Sequence, residues 1–227
     1  MSTFRLMLLF ALFVGIAHAE PIKIVALGGS NTFGKGVSPD EAYPAQLEKM
    51  LRAAGYDVVV KNEGTNGQTT LDELGKLDSA VPEGVKIVIF QPGGNDNKYQ
   101  NKTPVGNTGD NIRTIVQRLL DRHILVLFSG GRDQRRYIED LNVSMMGPVR
   151  VLVPETEWQA DKAHLTPNGY RLVAEKMFPK VKKLLDQVSK QHDGRGVDFQ
   201  ERRWSGYLNT VRDPGARLAT ASGAAAR

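Results

Sequence analysis

The sequence predicts an α/β fold: a three-layer α/β/α sandwich built on a doubly wound, parallel, five-stranded sheet. Short runs of β-branched and apolar residues alternate along the chain with segments that carry apolar residues at helical spacing. This alternation is typical of parallel strands joined by crossover helices, which cover both faces of the sheet. The 227 residues, 41% hydrophobic and 24% charged, suit one ordinary domain with short extensions.

The strands are predicted from short apolar runs of strand length. Valine, isoleucine and leucine dominate these runs, and turn-forming residues bound most of them. The five predicted strands, in chain order, are 22–27, 57–61, 86–91, 124–128 and 149–153. Each is too short for an ordinary helix and reads as a buried strand.

Helices are predicted between these strands and after the last one. Four intervening segments show helical spacing: 42–54, 69–77, 107–121 and, more weakly, 133–142. A long final helix is predicted over 167–188, with Pro167 in its first turn, where a proline is well tolerated. Pro179 lies inside this helix and is a candidate for a kink or a division.

The first 19 residues have the pattern of a secretory leader. Arg5 precedes an apolar run over 6–16, and Ala17-His18-Ala19 fits the small-x-small rule for cleavage. An uncleaved membrane anchor is the less favoured alternative, because the run is too short to cross a bilayer comfortably. We therefore expect 1–19 to be a signal peptide. The mature protein would be exported, to a bacterial periplasm or outside the cell, without stable membrane insertion.

The remaining chain divides into a domain over 20–188 and a tail over 189–227, which is predicted to be disordered. The tail is rich in Gly, Arg and Ala and offers little to pack. The chain has no cysteine, which excludes disulfides, thiolate metal sites and cysteine nucleophiles. Its formal net charge of +5 is a mild basic excess and gives no reason to expect a nucleic-acid partner.

Polar, Gly-rich segments follow the first three predicted strands, at 28–36, 62–70 and 92–97. The carboxyl ends of parallel strands meet at one edge of a doubly wound sheet, and active sites lie beyond that edge. We therefore expect the three segments to converge on one site.

The first of these segments reads Gly28-Gly29-Ser30-Asn31-Thr32-Phe33-Gly34-Lys35-Gly36. A serine between a strand and a helix exposes its hydroxyl, and the helix N-terminus favours negative charge that forms nearby. Two alternatives remain for the segment: a Gly-rich turn without chemistry, and a phosphate-binding loop. Residues 29–35 fit G-x-x-x-x-G-K, but Gly36 stands where a magnesium-binding Ser or Thr belongs.

A candidate base lies just before the final helix. Asp161 and His164 are three residues apart, so the carboxylate can accept a hydrogen bond from one imidazole nitrogen while the other faces outward. A helix-entry aspartate beside a surface histidine would explain the same pattern. The remaining histidines lie in the leader, at the start of a strand and in the tail: His18, His123 and His192.

The other two segments supply candidate hydrogen-bond donors. Gly93-Gly94-Asn95-Asp96 is either a simple turn or an element in which the Asn95 amide faces an oxyanion. The segment 62–67 contains glycines, whose backbone N–H groups no Cβ would crowd.

Taken in order, these segments resemble the GDSL/SGNH hydrolase family, and most of all its small bacterial lysophospholipase and multifunctional thioesterase/arylesterase members. The resemblance spans roughly 22–185. Ala42-Tyr43-Pro44 also resembles an element at the start of that group's first helix. The shared pattern is Gly-x-Ser-Asn-Thr-x-Gly after the first strand, Gly67 after the second, Gly93-Gly94-Asn95-Asp96 after the third and Asp161-x-x-His164 before the last helix.

The resemblance implies a flavodoxin-like SGNH hydrolase fold and an esterase that acts on acyl esters, thioesters or lysophospholipids through an acyl-enzyme. Ser30 matches the nucleophile, His164 the base and Asp161 its orienting carboxylate. The implied oxyanion donors are the Ser30 N–H, the Gly67 N–H, with Gly64 as an alternative, and the Asn95 side chain. No cofactor and no metal are implied. The partner would be a small ester or a lipid, and the oligomeric state is left open.

Two features depart from the family pattern. The family usually has Asp before the nucleophile, and this chain has Gly29, which changes the support of the loop without touching the triad. The stretch between the fourth and fifth predicted strands is short, which favours an open acyl pocket. The alternatives are a carbohydrate O-deacetylase of the same family and a non-catalytic binding protein that kept the fold.

Overall fold

The computed structural model describes residues 20–96 and 107–192, which form a wholly parallel five-stranded sheet in the order β2-β1-β3-β4-β5. This is a doubly wound order, and the predicted fold class is confirmed. The strands are β1 Ile22–Gly28, β2 Val58–Gly64, β3 Val85–Gln91, β4 Leu125–Ser129 and β5 Ser144–Met146.

Helices cover both faces of the sheet. Two short 3-10 helices, Val149–Leu152 and Glu155–Glu157, follow β5. None of the helices in the described ranges is both long and apolar enough to cross a membrane. The α-helices of these ranges are α1 Ser30–Phe33, α2 Tyr43–Ala53, α3 Thr70–Gly75, α4 Leu77–Ala80, α5 Thr108–Asp121, α6 Arg132–Arg135 and α7 Pro167–His192.

The sheet separates two apolar cores, because successive side chains of a strand point to opposite faces. In β1, Ile24 and Ala26 pack into the core that lies under α2 and α7. Val25 and Leu27 pack into the core that lies under α4 and α5. All four side chains are buried, so β1 is apolar throughout, as expected of a central parallel strand.

The final helix is longer than predicted. It runs without a break through Pro179 and ends at His192, four residues beyond the predicted end. Met177 and Val181, on either side of Pro179, are both fully buried, and this packing holds the helix in place where proline removes a backbone hydrogen bond. The predicted signal peptide and the tail beyond residue 192 lie outside the described residues.

The prediction of a fifth strand over 149–153 is wrong. Val149–Leu152 form a 3-10 helix, and β5 is the shorter segment Ser144–Met146. Pro148 follows β5 closely and has no N–H with which to continue the ladder. Val151 is 69% exposed, so the apolar run does not mark a buried strand.

Two helical predictions are also corrected. The segment 133–142 holds only the single turn α6. The segment 69–77 holds two short helices, α3 and α4, which meet at Lys76. Thr69 caps α3 in a capping box with Asp72, so the start of α3 follows the sequence signal closely.

The turn after β1 passes very close to its neighbours. A Cβ on Gly28 would lie 2.3 Å from the Gln91 carbonyl oxygen and 2.5 Å from Thr32 Oγ1. A Cβ on Gly64, at the end of β2, would lie 2.1 Å from the Phe33 nitrogen. The helix α1 therefore rests directly on the ends of β2 and β3, where only glycine leaves room.

Replacing Gly28 with alanine should lower the free energy of unfolding by about 1–3 kcal/mol, because the methyl group meets backbone atoms that cannot easily move. Gly75→Ala is the matched control: Gly75 lies in α3, and a Cβ there has no atom within 4 Å. The control should be neutral or stabilising. Urea denaturation of both variants measures the difference. Equal stability of Gly28→Ala and the unsubstituted protein would contradict the packing argument.

Candidate active site

Ser30 is the first residue of α1 and is half-buried at the carboxyl edge of the sheet. The Thr32 and Phe33 N–H groups donate to the Gly29 carbonyl oxygen, each at 3.0 Å. The Thr32 hydroxyl donates to Gln91 Oε1 at 3.1 Å, and Tyr43 Oη lies 3.2 Å from the same hydroxyl oxygen. These buried contacts fix α1, and with it Ser30, to the end of β3 and to α2.

The structure brings Ser30, His164 and Asp161 together although Ser30 and His164 are far apart in the chain. His164 Nε2 lies 2.8 Å from Ser30 Oγ, and His164 Nδ1 lies 2.5 Å from Asp161 Oδ2. With the proton on Nδ1 donated to the carboxylate, Nε2 is free to accept the serine hydroxyl proton.

The Asp161 carboxylate divides its two oxygens between the backbone and the imidazole. Oδ1 accepts the N–H groups of Ala163 at 2.9 Å and His164 at 3.0 Å, while Oδ2 faces Nδ1. The hydrogen bond from His164, supported by these two N–H groups, holds the pKa of Asp161 well below its usual range. The carboxylate is therefore ionised at neutral pH and can orient the imidazole.

The candidate oxyanion donors gather around the same turn. Gly67 has a φ of +78°, and the next residue, Gln68, accepts a hydrogen bond from Asn95 Nδ2 at 2.8 Å through its carbonyl oxygen. A Cβ on Gly29 would lie 3.5 Å from Asn95 Nδ2, so the Asn95 amide lies beside the residue that precedes Ser30. The three Gly-rich segments thus converge, as the topology predicts.

The backbone N–H groups of Ser30 and Gly67 have no acceptor within residues 20–96 and 107–192. Gly64, the alternative donor, is the last residue of β2, and its lack of a side chain is explained by the close approach of Phe33. The Gly67 N–H therefore fits the donor role better than that of Gly64.

The structure argues against the phosphate-loop alternative for residues 29–35. A phosphate loop needs free backbone N–H groups around the anion. Here the Thr32 and Phe33 N–H groups bond to Gly29, and the Gly34 and Lys35 N–H groups bond to the Ser30 carbonyl oxygen at 3.1 and 3.0 Å. These donors are therefore taken up within the turn itself.

Asp96 closes the Gly93-Gly94-Asn95-Asp96 motif, and no role was predicted for it from the sequence. It is 4% exposed, and its carboxylate accepts the Thr70 N–H at 2.8 Å, the Thr70 hydroxyl at 2.6 Å and the Thr108 hydroxyl at 2.7 Å. These bonds tie the residue after Asn95 to the first turns of α3 and α5. The sequence signals for this role were its place in the family motif next to Asn95 and the threonines near the two predicted helix starts.

The fold and the sequence together define a carboxylic ester hydrolase. Residues 26–175 match the GDSL-like Lipase/Acylhydrolase family, and the chain belongs to that family. The predicted family resemblance is confirmed. Within the described ranges, no three His, Asp or Glu side chains come together as metal ligands would.

Solved structures of esterases share the fold. The psychrotrophic esterase EstA from Pseudoalteromonas sp. is 20% identical, with a TM-score of 0.61 over 72% of this chain and 98% of that chain. TesA is 23% identical, with a TM-score of 0.59 over 71% of this chain and 99% of that chain. The SGNH-hydrolase family esterase AlinE4 is 25% identical, with a TM-score of 0.54 over 74% of this chain and 99% of that chain. No curated protein sequence matches the chain.

A second buried acid lies near Asp96. Glu73 in α3 is fully buried, and neither of its carboxyl oxygens has a hydrogen-bond partner among the described residues. Burial, together with the neighbouring charges of Asp96 and Asp72, raises the pKa of Glu73 well above its ordinary value, against a smaller opposing effect of Lys76. The folded protein therefore favours the protonated form of this acid.

Glu73→Gln should make the protein more stable at neutral pH and leave it unchanged in acid. Glu73 ionises in the unfolded chain from about pH 4, so stability falls as the pH rises from there to the raised folded pKa, and the loss persists at higher pH. Glutamine has nearly the same shape and cannot ionise. Melting temperatures of both proteins from about pH 4 to about pH 8 should coincide in acid and separate as the pH rises. A separation that does not vary with pH would contradict this reasoning.

Proposed function

We propose that the protein is an exported serine esterase that cleaves carboxylic esters through Ser30, His164 and Asp161. The observation that supports this most directly is the continuous hydrogen-bonded path from Ser30 Oγ through His164 to Asp161, with steps of 2.8 and 2.5 Å. This geometry meets the requirement that nucleophile, base and orienting group lie within hydrogen-bond reach of one another. The leader-like pattern of residues 1–19 supports export.

In the proposed acylation step, Ser30 Oγ attacks the ester carbonyl carbon while its proton passes to His164 Nε2. Asp161 stabilises the imidazolium that forms. The tetrahedral intermediate then collapses, the bond to the leaving oxygen breaks, and His164 returns the proton to the departing alcohol. The products of this step are the free alcohol and an ester of Ser30.

Deacylation repeats the same proton transfers with water. His164 accepts a proton from a water molecule as its oxygen attacks the acyl carbon of the Ser30 ester. The second tetrahedral intermediate releases the carboxylic acid, and the proton returns to Ser30 Oγ.

The oxyanion of each intermediate would be held by the Ser30 N–H, the Gly67 N–H and one hydrogen of the Asn95 amide. An amide nitrogen carries two hydrogens, and only one of those on Asn95 is needed for the bond to the Gln68 carbonyl oxygen. That bond fixes the orientation of the amide before substrate arrives. Donors oriented in advance stabilise a developing charge without reorganisation.

The preferred substrates are acyl esters, thioesters or lysophospholipids. A carbohydrate O-deacetylase is the second candidate, and it is favoured by the fold shared with a two-domain esterase, CEX, active on acetylated mannans. That protein is 18% identical, with a TM-score of 0.60, and the match covers 72% of this chain and 49% of that chain.

The test is hydrolysis of p-nitrophenyl esters from acetate to long acyl chains, with acetylated mannan alongside, by the chain and by Ser30→Ala. We expect activity that Ser30→Ala abolishes. The profile of rate against acyl length would then report the size of the acyl site. A folded protein without activity on any ester would contradict the proposal.

Covalent labelling provides a second readout. The solved EstA structure is described as inhibited by monoethylphosphonate. A reactive phosphonate ester should therefore add one adduct to this chain on Ser30, seen by mass spectrometry, and none to Ser30→Ala. An adduct on another residue would contradict the assigned nucleophile.

Asn95→Ala should lower kcat by about 100- to 1,000-fold, because one oxyanion donor is worth about 2.7–4 kcal/mol of transition-state stabilisation. The fold should survive, since Asn95 is only half-buried. Steady-state kinetics and a circular dichroism melt check the two statements separately. A near-normal kcat would remove Asn95 from the mechanism.

A further inference from the structure

Two side-chain amides tie the loop that carries Asp161 and His164 to the turn that carries Ser30. Asn31, the residue after Ser30, donates from Nδ2 to the Ala163 carbonyl oxygen at 3.2 Å. Gln159 donates from Nε2 to the Lys35 carbonyl oxygen at 2.8 Å and to the Leu165 carbonyl oxygen at 2.6 Å. Both links join segments that are more than a hundred residues apart in the chain.

These links surround the backbone of His164. The carbonyl oxygens of the residues before and after it accept from Asn31 and Gln159, respectively. The His164 carbonyl oxygen itself accepts the Gln159 N–H at 2.8 Å. Three successive carbonyl groups are therefore held by two residues, which leaves the His164 backbone little freedom to move relative to Ser30.

A third residue orients the Asn31 amide. The Tyr170 hydroxyl donates to Asn31 Oδ1 at 3.3 Å, which turns Nδ2 toward the Ala163 carbonyl oxygen. Tyr170 is fully buried in α7. Burial raises the pKa of Tyr170 to about 12, so its hydroxyl remains a donor throughout the neutral range.

Replacing Asn31 with leucine removes this link. A leucine side chain has no donor and cannot form the bond to the Ala163 carbonyl oxygen.

We propose that Asn31 and Gln159 are positioning residues that keep His164 Nε2 within hydrogen-bond distance of Ser30 Oγ. This inference rests on the proposed function. The two amides act by holding His164 in place and do not contact the substrate. A displacement of about 1 Å in a catalytic group costs about 100-fold in rate, so loss of one link should lower kcat and leave KM nearly unchanged.

The experiment compares Asn31→Leu and Gln159→Leu with the unsubstituted protein on p-nitrophenyl acetate. We expect kcat to fall by about 10- to 100-fold in each, with KM within about 2-fold, and the rate of phosphonate labelling of Ser30 to fall in parallel with kcat. Asn62→Ala is the matched control, since Asn62 Nδ2 donates to the Phe33 carbonyl oxygen at the other end of α1. It should leave kcat unchanged.

Tyr170→Phe removes a single hydroxyl and tests the same link from the other side. It should lower kcat at unchanged KM, and it should have no further effect when combined with Asn31→Leu, because both substitutions act through one amide. Additive effects of Tyr170→Phe and Asn31→Leu would overturn this part of the inference. If Asn31→Leu fails to fold, Tyr170→Phe alone tests the link. A lower kcat at unchanged KM supports the link, and an unchanged kcat overturns it.

The experiments distinguish failure of the proposed function from failure of the positioning role. Unsubstituted protein that neither hydrolyses the ester nor takes up the phosphonate overturns the proposed function and this inference with it. Active unsubstituted protein with equally active Asn31→Leu and Gln159→Leu overturns only the positioning role. A fall in kcat in the Asn62→Ala control as large as in the other variants would assign the effect to general loosening of α1 and overturn it also.

Discussion

The turn from β1 into α1 has to fit between the ends of β2 and β3, and the geometry of the candidate site depends on that close fit. Gly28 and Gly64 leave no side chain at the two points where backbone meets backbone. The Thr65 N–H donates to the Gly28 carbonyl oxygen at 2.9 Å and continues the β1–β2 contact past the strands. Because these contacts involve main-chain atoms, the position of Ser30 is set by the sheet itself. Side chains such as Thr32 then fix the orientation of α1 on that base.

Three carboxyl groups near the carboxyl edge of the sheet differ in their burial and in the hydrogen bonds that they accept. Asp161 has a side chain that is 45% exposed, and it accepts two N–H groups and the imidazole proton. Asp96 is buried but accepts three hydrogen bonds, which replace the water it has lost. Glu73 is buried without any such partner among the described residues, and its pKa rises accordingly. Asp161, which accepts several hydrogen bonds, is thus ionised at neutral pH, while Glu73, which is buried without a partner, favours its protonated form.

The sequence predicts the parts of this structure that depend on local pattern. The first four strands and the long helices repeat apolar residues at a fixed period, and their positions agree with the prediction to within a few residues. The last strand, Ser144–Met146, is too short to show a period. The fifth strand was therefore predicted wrongly, at the neighbouring apolar run over 149–153. Ser30, Asp161 and His164 were predicted from their places after the first strand and before the last helix, and from their match to a family pattern. The supporting roles of Asp96 and Gln159 were not predicted, because their partners Thr70 and Lys35 lie elsewhere in the chain and such hydrogen bonds leave no local signal.

The presence of Gly29 where the family usually has aspartate favours the alternative of a binding protein without catalysis, and the structure weakens this argument. Any side chain at position 29 would contact the Asn95 amide, since a Cβ there lies 3.5 Å from Nδ2. The amide does not need that support here, because the Gln68 carbonyl oxygen already holds it at 2.8 Å. On the opposite side of Ser30, Asn31 forms links to the His164 loop and to α7 that an apolar residue in its place would lack. The chain thus lacks the family aspartate before Ser30 but has a polar residue, Asn31, after it. Gly29 by itself therefore does not indicate that catalysis has been lost.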